Sequence, residues 1–105
     1  MVRGEIFRLR SARAARSSEQ QGARYGVVVQ TDELLALSTV LVSPISRAAP
    51  ARSFRPMIDL EGSPTRVLVE QTTAVTRERL GESVGRLDAS ELRDLDAALA
   101  LVLGL

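Results

Sequence analysis

The chain has 105 residues, of which 45% are apolar and 26% are charged, and its net charge is +1. This length predicts one domain, because a chain of about 100 residues buries enough surface for a single hydrophobic core. The sequence contains no Cys and no His, which excludes disulfide scaffolds, thiolate or imidazole metal sites, and thiol or imidazole catalysis. The lack of Cys also fits a cytoplasmic protein.

The charges are distributed unevenly along the chain. Residues 1–55 contain nine Arg and four acidic residues, whereas residues 56–105 contain five Arg and nine acidic residues. Every cationic side chain is Arg, whose planar guanidinium suits phosphate. The basic half is therefore compatible with an RNA or nucleotide partner. The longest apolar run is far shorter than the roughly 20 residues of a membrane-spanning helix, so we expect no membrane insertion.

The first half of the chain predicts three strands around one long loop. Apolar and charged residues alternate over residues 4–10, as in a strand. Residues 11–24 form a polar loop, and loops longer than about 12 residues often carry function. A valine-rich strand is predicted at residues 25–30. After a helical turn at residues 32–37, a third strand begins at Thr39 and should end at Ser43-Pro44, because proline cannot donate to a ladder.

The second half of the chain begins with an irregular basic segment, residues 47–56, and ends with a C-terminal helix, the clearest element of the chain. The short elements between are predicted as strands at residues 57–60, 66–70 and 83–87, a turn at 61–64 and a helical turn at 76–80. The apolar residues of the last segment recur at spacings of three, four and three, which predicts one buried stripe along a C-terminal helix: Leu92, Leu95, Leu99 and Val102. Asp88 and Glu91 fit a capping box at its start.

Short strands, long loops and one terminal helix together indicate the fold class. They predict an α+β fold that is mainly β: a small, strongly twisted antiparallel sheet or barrel with the C-terminal helix packed on it. We expect residues 1–105 to form this single domain.

Candidate functional residues lie at the predicted strand ends. The sequence has no Gly-rich phosphate loop, metal-ligand cluster or nucleophile elbow. What remains is a set of polar side chains beside strands: Glu19, Arg24, Ser46 and Gln71. Taken singly, each has an ordinary structural interpretation, such as a solvated charge or a turn-forming hydroxyl.

Several short motifs follow one another along nearly the whole chain. They are GEIF, SEQ-x-G-x-R before a VVV strand, TVLVSPIS, VLVEQ, RLGE-x-x-GRL and a final LVLGL. In this order they resemble the MazF/PemK family of toxins, which are endoribonucleases of type II toxin–antitoxin pairs. The resemblance implies the barrel shared with CcdB toxins, a homodimer, a single-stranded RNA substrate, a cognate antitoxin, and no metal or other cofactor.

The resemblance also implies site residues. Arg24 matches the catalytic arginine of the family, and Ser46 stands where the family has a catalytic threonine. Glu19 is the carboxylate that would take the proton of the RNA 2′-hydroxyl. Further residues are expected to contact RNA: Ser18, Tyr25, Arg47, Arg52, Gln71 and Thr73. RNA supplies its own nucleophile, so cleavage needs only positioning and charge stabilisation.

Two alternatives stay open. Tyr25 replaces a common proline, Ser46 replaces a threonine and Thr73 replaces a common basic residue, so the chain could be a catalytically impaired homologue. A CcdB-like toxin that binds DNA gyrase would share the fold. The sequence favours the nuclease, because it carries the SEQ-x-G-x-R and EQ motifs and its C-terminal LGL lacks the aromatic residue of the gyrase poisons.

Overall fold

The structure, a computed structural model, describes residues 1–10 and 24–105. The elements in chain order are β1 (Glu5–Leu9), β2 (Arg24–Val28), β3 (Thr39–Ser46), β4 (Met57–Leu60), β5 (Ser63–Val67), β6 (Thr73–Thr76), β7 (Leu80–Arg86) and α1 (Ala89–Leu103). Single 3₁₀ turns lie at Asp32–Leu34, Val69–Gln71 and Arg77–Arg79.

The strands form one antiparallel sheet with the order β4-β5-β3-β2-β1-β7, and β6 also pairs with β3. Helix α1 packs on this sheet through Leu95 and Ala98, which are buried in the same core as strand residues such as Ile6 and Val67. The expected fold class is confirmed: the fold is mainly β, with a curled antiparallel sheet and a C-terminal helix packed on it.

The valine run of β2 supplies two separate cores. Val27 belongs to the larger core with α1, whereas Val28 belongs to a smaller core that also contains Val40 and Val42 of β3. Successive side chains of a strand point to opposite faces, so a sheet covered on both faces requires an apolar run rather than an alternation. This requirement explains the consecutive valines.

Strand β3 continues through Pro44, so the predicted end at Ser43-Pro44 is wrong. Along one edge, β3 pairs first with β6, as far as Val42, and then with β5, from Ile45 onwards. Pro44 lies between these two neighbours, and its carbonyl accepts a hydrogen bond from the Leu68 N–H at 2.8 Å. The missing N–H of proline therefore falls where β3 changes partner and no ladder bond is lost.

The second hairpin is also offset from its prediction. Its turn contains two residues, Glu61 and Gly62, with φ of 52° and 82°, as a type I′ hairpin turn requires. Strand β5 consequently starts at Ser63, and residues 69–71 form a 3₁₀ turn instead of the end of a strand. Strand β6 was not predicted, and β7 begins three residues earlier than residue 83.

Helix α1 begins as predicted. The Asp88 carboxylate accepts from the Glu91 N–H at 2.8 Å, and the Glu91 carboxylate accepts from the Asp88 N–H at 2.9 Å. Glu91 also accepts from the Asp59 N–H at 2.7 Å, which satisfies a backbone donor of the edge strand β4. Arg3 adds a 2.7 Å ion pair to Asp96.

Within residues 1–10 and 24–105, no helix is long and apolar enough to cross a membrane.

Candidate functional site

Two of the predicted catalytic residues lie at the same end of neighbouring strands. The ladder between β2 and β3 has Gly26 opposite Pro44 as its pair nearest this end. Arg24 begins β2 two residues before Gly26, and Ser46 ends β3 two residues after Pro44. Arg24 is exposed and Ser46 is half-buried. The sheet therefore presents a guanidinium and a hydroxyl on adjacent strand ends.

Among residues 1–10 and 24–105, the Ser46 hydroxyl has one hydrogen-bond partner. Its Oγ accepts a hydrogen bond from the Ala48 N–H at 3.2 Å, which is the turn-forming interaction expected of a serine near a strand end. This contact restrains the side chain, which lacks the β-methyl group that limits threonine rotamers. Because Oγ acts here as an acceptor, its own hydrogen can be donated to a bound anion.

A cavity of about 280 Å³ opens beside Ser46. Its lining comes from β2, β3, β4, β5 and the start of the loop after β3: Tyr25, Ile45, Ser46, Arg47, Ala48, Leu60 and Thr65. The structure thus brings together three predicted site residues, Tyr25, Ser46 and Arg47. Tyr25 and Ile45 also pack against the larger core, so the cavity is a concave extension of that core.

The basic loop 47–56 is held against the 69–71 turn by an ion pair. Glu70 accepts hydrogen bonds from Arg55 through Nε at 3.0 Å and Nη2 at 2.6 Å. Arg55 also donates through Nη1 to the Pro50 carbonyl at 3.2 Å, and its guanidinium carbon lies 5.6 Å from the centroid of the Phe54 ring. The hydrogen bonds from Arg55 are the main reason that the pKa of Glu70 lies below its ordinary value. This cross-link connects the loop that carries Arg52 to the turn that carries Gln71.

The remaining predicted RNA contacts occupy the surface around this cross-link. Gln71 is exposed on the 69–71 turn, and the Leu68 N–H to Pro44 carbonyl bond attaches that turn to β3. Arg52 is exposed and donates to the Ala51 carbonyl at 2.8 Å. Thr73, also exposed, opens β6 opposite Val42, away from the residues that line the cavity.

Two predicted residues lie outside the described part of the chain. These are Ser18 and the proposed base Glu19. Among residues 1–10 and 24–105, no group of three or more acidic side chains could hold a metal ion. Arg47 is the cationic residue of the cavity lining, and Arg24 lies at the exposed start of β2 next to Tyr25.

Sequence reasoning missed several residues of this region. Glu70 was not recognised, because nothing in the spacing of residues 55 and 70 indicates an ion pair across two loops. Thr65 was missed because the second strand of this hairpin was predicted at residues 66–70, too late in the chain, and Leu60 was missed although its strand was placed correctly. With β5 at residues 63–67, the alternation along a strand puts Thr65 on the same inward face as Val67, and both are buried.

Comparison with known proteins identifies the family of this chain. Residues 2–103 match the family described as PemK-like, MazF-like toxin of type II toxin-antitoxin system. The chain is 34% identical over 106 residues to Rv3098A, a candidate toxin of Mycobacterium tuberculosis, and the match covers 100% of this chain and 99% of that one. It is also 34% identical over 116 residues to endoribonuclease MazF9 of the same organism, covering 100% and 98%.

A solved structure has the same fold. It is an endoribonuclease in complex with its cognate antitoxin from a mycobacterial species, with a TM-score of 0.80 at 16% identity, covering 100% of this chain and 96% of that one. The resemblance found in the sequence is thereby confirmed.

Proposed function

Because the chain belongs to the family of PemK-like, MazF-like toxins of type II toxin–antitoxin systems, we propose that it is an endoribonuclease that cleaves single-stranded RNA without a metal ion. The observation that supports this proposal is that Arg24 and Ser46 stand at the same end of the paired strands β2 and β3, and that Ser46 and Arg47 line a cavity there. Both side chains are donors suited to a phosphate group.

In the proposed reaction the nucleophile is the ribose 2′-hydroxyl of the substrate. Its oxygen forms a bond to phosphorus, its proton passes to the Glu19 carboxylate, and the bond from phosphorus to the 5′ oxygen breaks. The leaving 5′ oxygen takes a proton from solvent. The products carry a 2′,3′-cyclic phosphate and a 5′-hydroxyl. Every atom is supplied by RNA, water and one carboxylate, which agrees with a sequence without His or Cys.

The two donors stabilise the charge that develops on phosphorus. Arg24 donates two parallel hydrogen bonds to the non-bridging oxygens, and its charge opposes the build-up on the leaving oxygen. Ser46 donates its free hydrogen to the same phosphate while the Ala48 N–H holds its oxygen in place. Loss of one such positioned donor lowers the rate by about 10²–10³.

The flanking residues bind the rest of the RNA strand. Tyr25 offers a ring face for an unpaired base, and Arg47 and Arg52 attract phosphates. The remaining proposed contacts are Ser18, Gln71 and Thr73.

We also propose a homodimer and a cognate antitoxin, because a related MazF is described in complex with MazE. An acidic antitoxin tail that orders on binding would suit the basic loops. The RNA substrate places the activity in the cytoplasm.

The test is cleavage of mixed-sequence RNA by purified protein in excess EDTA. We expect cutting in EDTA by wild type, with 5′-hydroxyl ends, and a loss of about 10²–10³ in rate for Arg24→Ala. Arg93→Ala, which removes an exposed arginine from α1, is the matched control and should cut like wild type. Activity that appears only with added Mg²⁺ would contradict the metal-free reaction.

A second assay separates the gyrase alternative. Wild type is incubated with DNA gyrase and plasmid under conditions that trap cleaved DNA. The proposal expects no gyrase-dependent breakage. Breakage together with uncut RNA would replace the nuclease with a protein-binding toxin. If RNA is bound but left uncut at all protein concentrations, the chain is an impaired homologue.

A further inference from the structure

The cavity beside Ser46 is lined by both apolar and polar residues, a combination that ligand sites use. Its volume of about 280 Å³ lies near the lower end of the roughly 300–1,000 Å³ found for ligand pockets. Its apolar walls come from Ile45, Leu60 and the ring of Tyr25, and its polar groups from Ser46 and Thr65. A flat, partly apolar ligand with polar edges would match these walls.

Thr65 is the most buried polar residue of this lining. It is 2% exposed, and its Oγ1 donates a hydrogen bond to the Ser63 carbonyl at 3.0 Å. A hydroxyl has one hydrogen and two lone pairs. Because that hydrogen is engaged, Oγ1 can serve a ligand only as an acceptor. A bound group that reaches it must therefore present an N–H or O–H donor.

An unpaired nucleobase satisfies both conditions. Sequence-specific recognition of RNA uses unstacked bases that stack on aromatic rings and are read by hydrogen bonds along their edges. Tyr25 supplies the ring, and every RNA base carries at least one N–H donor on its Watson–Crick edge. Ser46 borders the same cavity, so a phosphate held at Ser46 would place a neighbouring base within reach of it.

We propose that this cavity binds one unpaired base next to the scissile phosphate, and that Thr65 accepts a hydrogen bond from an N–H donor of that base. Thr65 is then a specificity-determining residue outside the catalytic set. This inference rests on the proposed RNA cleavage, because it assigns a base to a cavity beside the proposed catalytic serine. Leu60 and Ile45 confine the base and exclude water from the hydrogen bond.

The test compares base preference rather than total activity. Thr65→Val preserves the shape of the side chain and removes the acceptor, whereas Thr65→Ser retains the hydroxyl and is the matched control. Mixed-sequence RNA is cut by each protein, and the 5′ ends of the products are sequenced. We expect Thr65→Val to lose about 10-fold in selectivity at one position of the cleavage sequence, and Thr65→Ser to keep it.

A second measurement identifies the partner of the hydroxyl. A short RNA with the selected base is compared with one in which that base is replaced by an analogue without the N–H donor. Wild type should cut the analogue about 10-fold more slowly, and Thr65→Val should cut both RNAs at the same rate, because the pair is coupled only when both groups are present. Equal slowing of both proteins by the analogue would overturn the inference.

A second variant, which fills the cavity, keeps the inference testable if the Thr65→Val protein does not fold. Ala48→Leu adds volume at the exposed rim and should reduce selectivity at the same position. Unchanged preference in both variants overturns the base site and leaves the proposed nuclease intact. RNA left uncut by wild type overturns the proposed nuclease and the base site together, so the two failures are distinguishable.

Discussion

Two regions that border the larger core are built differently. Where α1 covers the sheet, Leu95 and Ala98 are 0% and 4% exposed and belong to the larger apolar core. Where β2, β3 and β5 meet, the core is left open as a cavity lined by Tyr25, Ser46 and Thr65. The helix region is complete without a ligand, whereas the cavity region exposes donors and acceptors. The first should control stability, and the second should control chemistry.

The largest expected effect comes from breaking the helix region. Leu95→Ala leaves a void in a fully buried position and should lower the free energy of unfolding by about 2–5 kcal/mol, measured by urea denaturation. Leu101→Ala makes the same change at a position of α1 that is 59% exposed and should cost less than about 0.5 kcal/mol. Similar losses for both variants would show that α1 does not close the core.

In the cavity region, we expect a substitution to lower activity and to leave stability nearly unchanged. Ser46→Ala removes the proposed phosphate donor and should lower the cleavage rate by about 10²–10³. The free energy of unfolding should change by no more than about 1 kcal/mol, since in the described part of the chain only the Ala48 N–H loses its partner. Ser53→Ala, in the same basic loop and exposed, should cut RNA normally. Loss of folding and activity in parallel would mean that Ser46 is structural.

A smaller effect is expected at the start of α1. Asp88→Ala removes the acceptor of the Glu91 N–H, and loss of such a cap costs about 0.5–2 kcal/mol. Asp94→Ala, at an exposed position inside the helix, provides the comparison and should have little effect on unfolding. RNA cleavage at 25 °C should be unchanged in both. A decrease in cleavage by Asp88→Ala alone would link the helix region to the site.

The smallest stability effects are expected for the ion pairs Arg55–Glu70 and Arg3–Asp96, and the first of them depends on pH. Arg55 lowers the pKa of Glu70 below its ordinary value of 4.5, so the pair stabilises the fold at neutral pH. That stabilisation disappears as the pH falls through the lowered pKa and Glu70 is protonated. Glu70→Gln should therefore be less stable than wild type at pH 7 by about 0.2–1 kcal/mol, and equally stable in strong acid.

Glu70→Gln also tests whether its ion pair positions the basic loop for RNA, and Asp96→Asn serves as the comparison. Asp96→Asn breaks the ion pair with Arg3 on the helix side and should cost a similar amount in unfolding. Only Glu70→Gln should raise KM for RNA, by a few-fold with kcat retained, because only this pair holds the basic loop against the turn with Gln71. Equal KM values for both variants would make Arg55–Glu70 an ordinary surface pair.

The parts of the fold that were predicted correctly depend on local sequence. Strand β1, the start of α1 and its capping box follow from side-chain alternation and from contacts between residues three positions apart. The errors arose where pairing partners are distant. To predict that β3 continues past Pro44, one must know that β3 pairs with β6 before this residue and with β5 after it. No short stretch of sequence around Pro44 contains those strands.

The site shows the same division. Motif order led to the prediction of Arg24, Tyr25, Ser46 and Arg47 as site residues, and all four lie at or beside the same end of β2 and β3. Motif order could not reveal the positions of Thr65 and Glu70, since these depend on a hairpin register and on a contact between two loops.

By itself, the sequence determined the mainly β fold class, the terminal helix, the family resemblance and the absence of imidazole and thiol chemistry. Only the tertiary structure decided which faces of the strands are buried, where β3 changes partner and which side chains border the cavity. The reason is physical. Periodicity and capping involve residues a few positions apart, whereas strand register and loop contacts depend on pairings between segments that the chain brings together only when it folds.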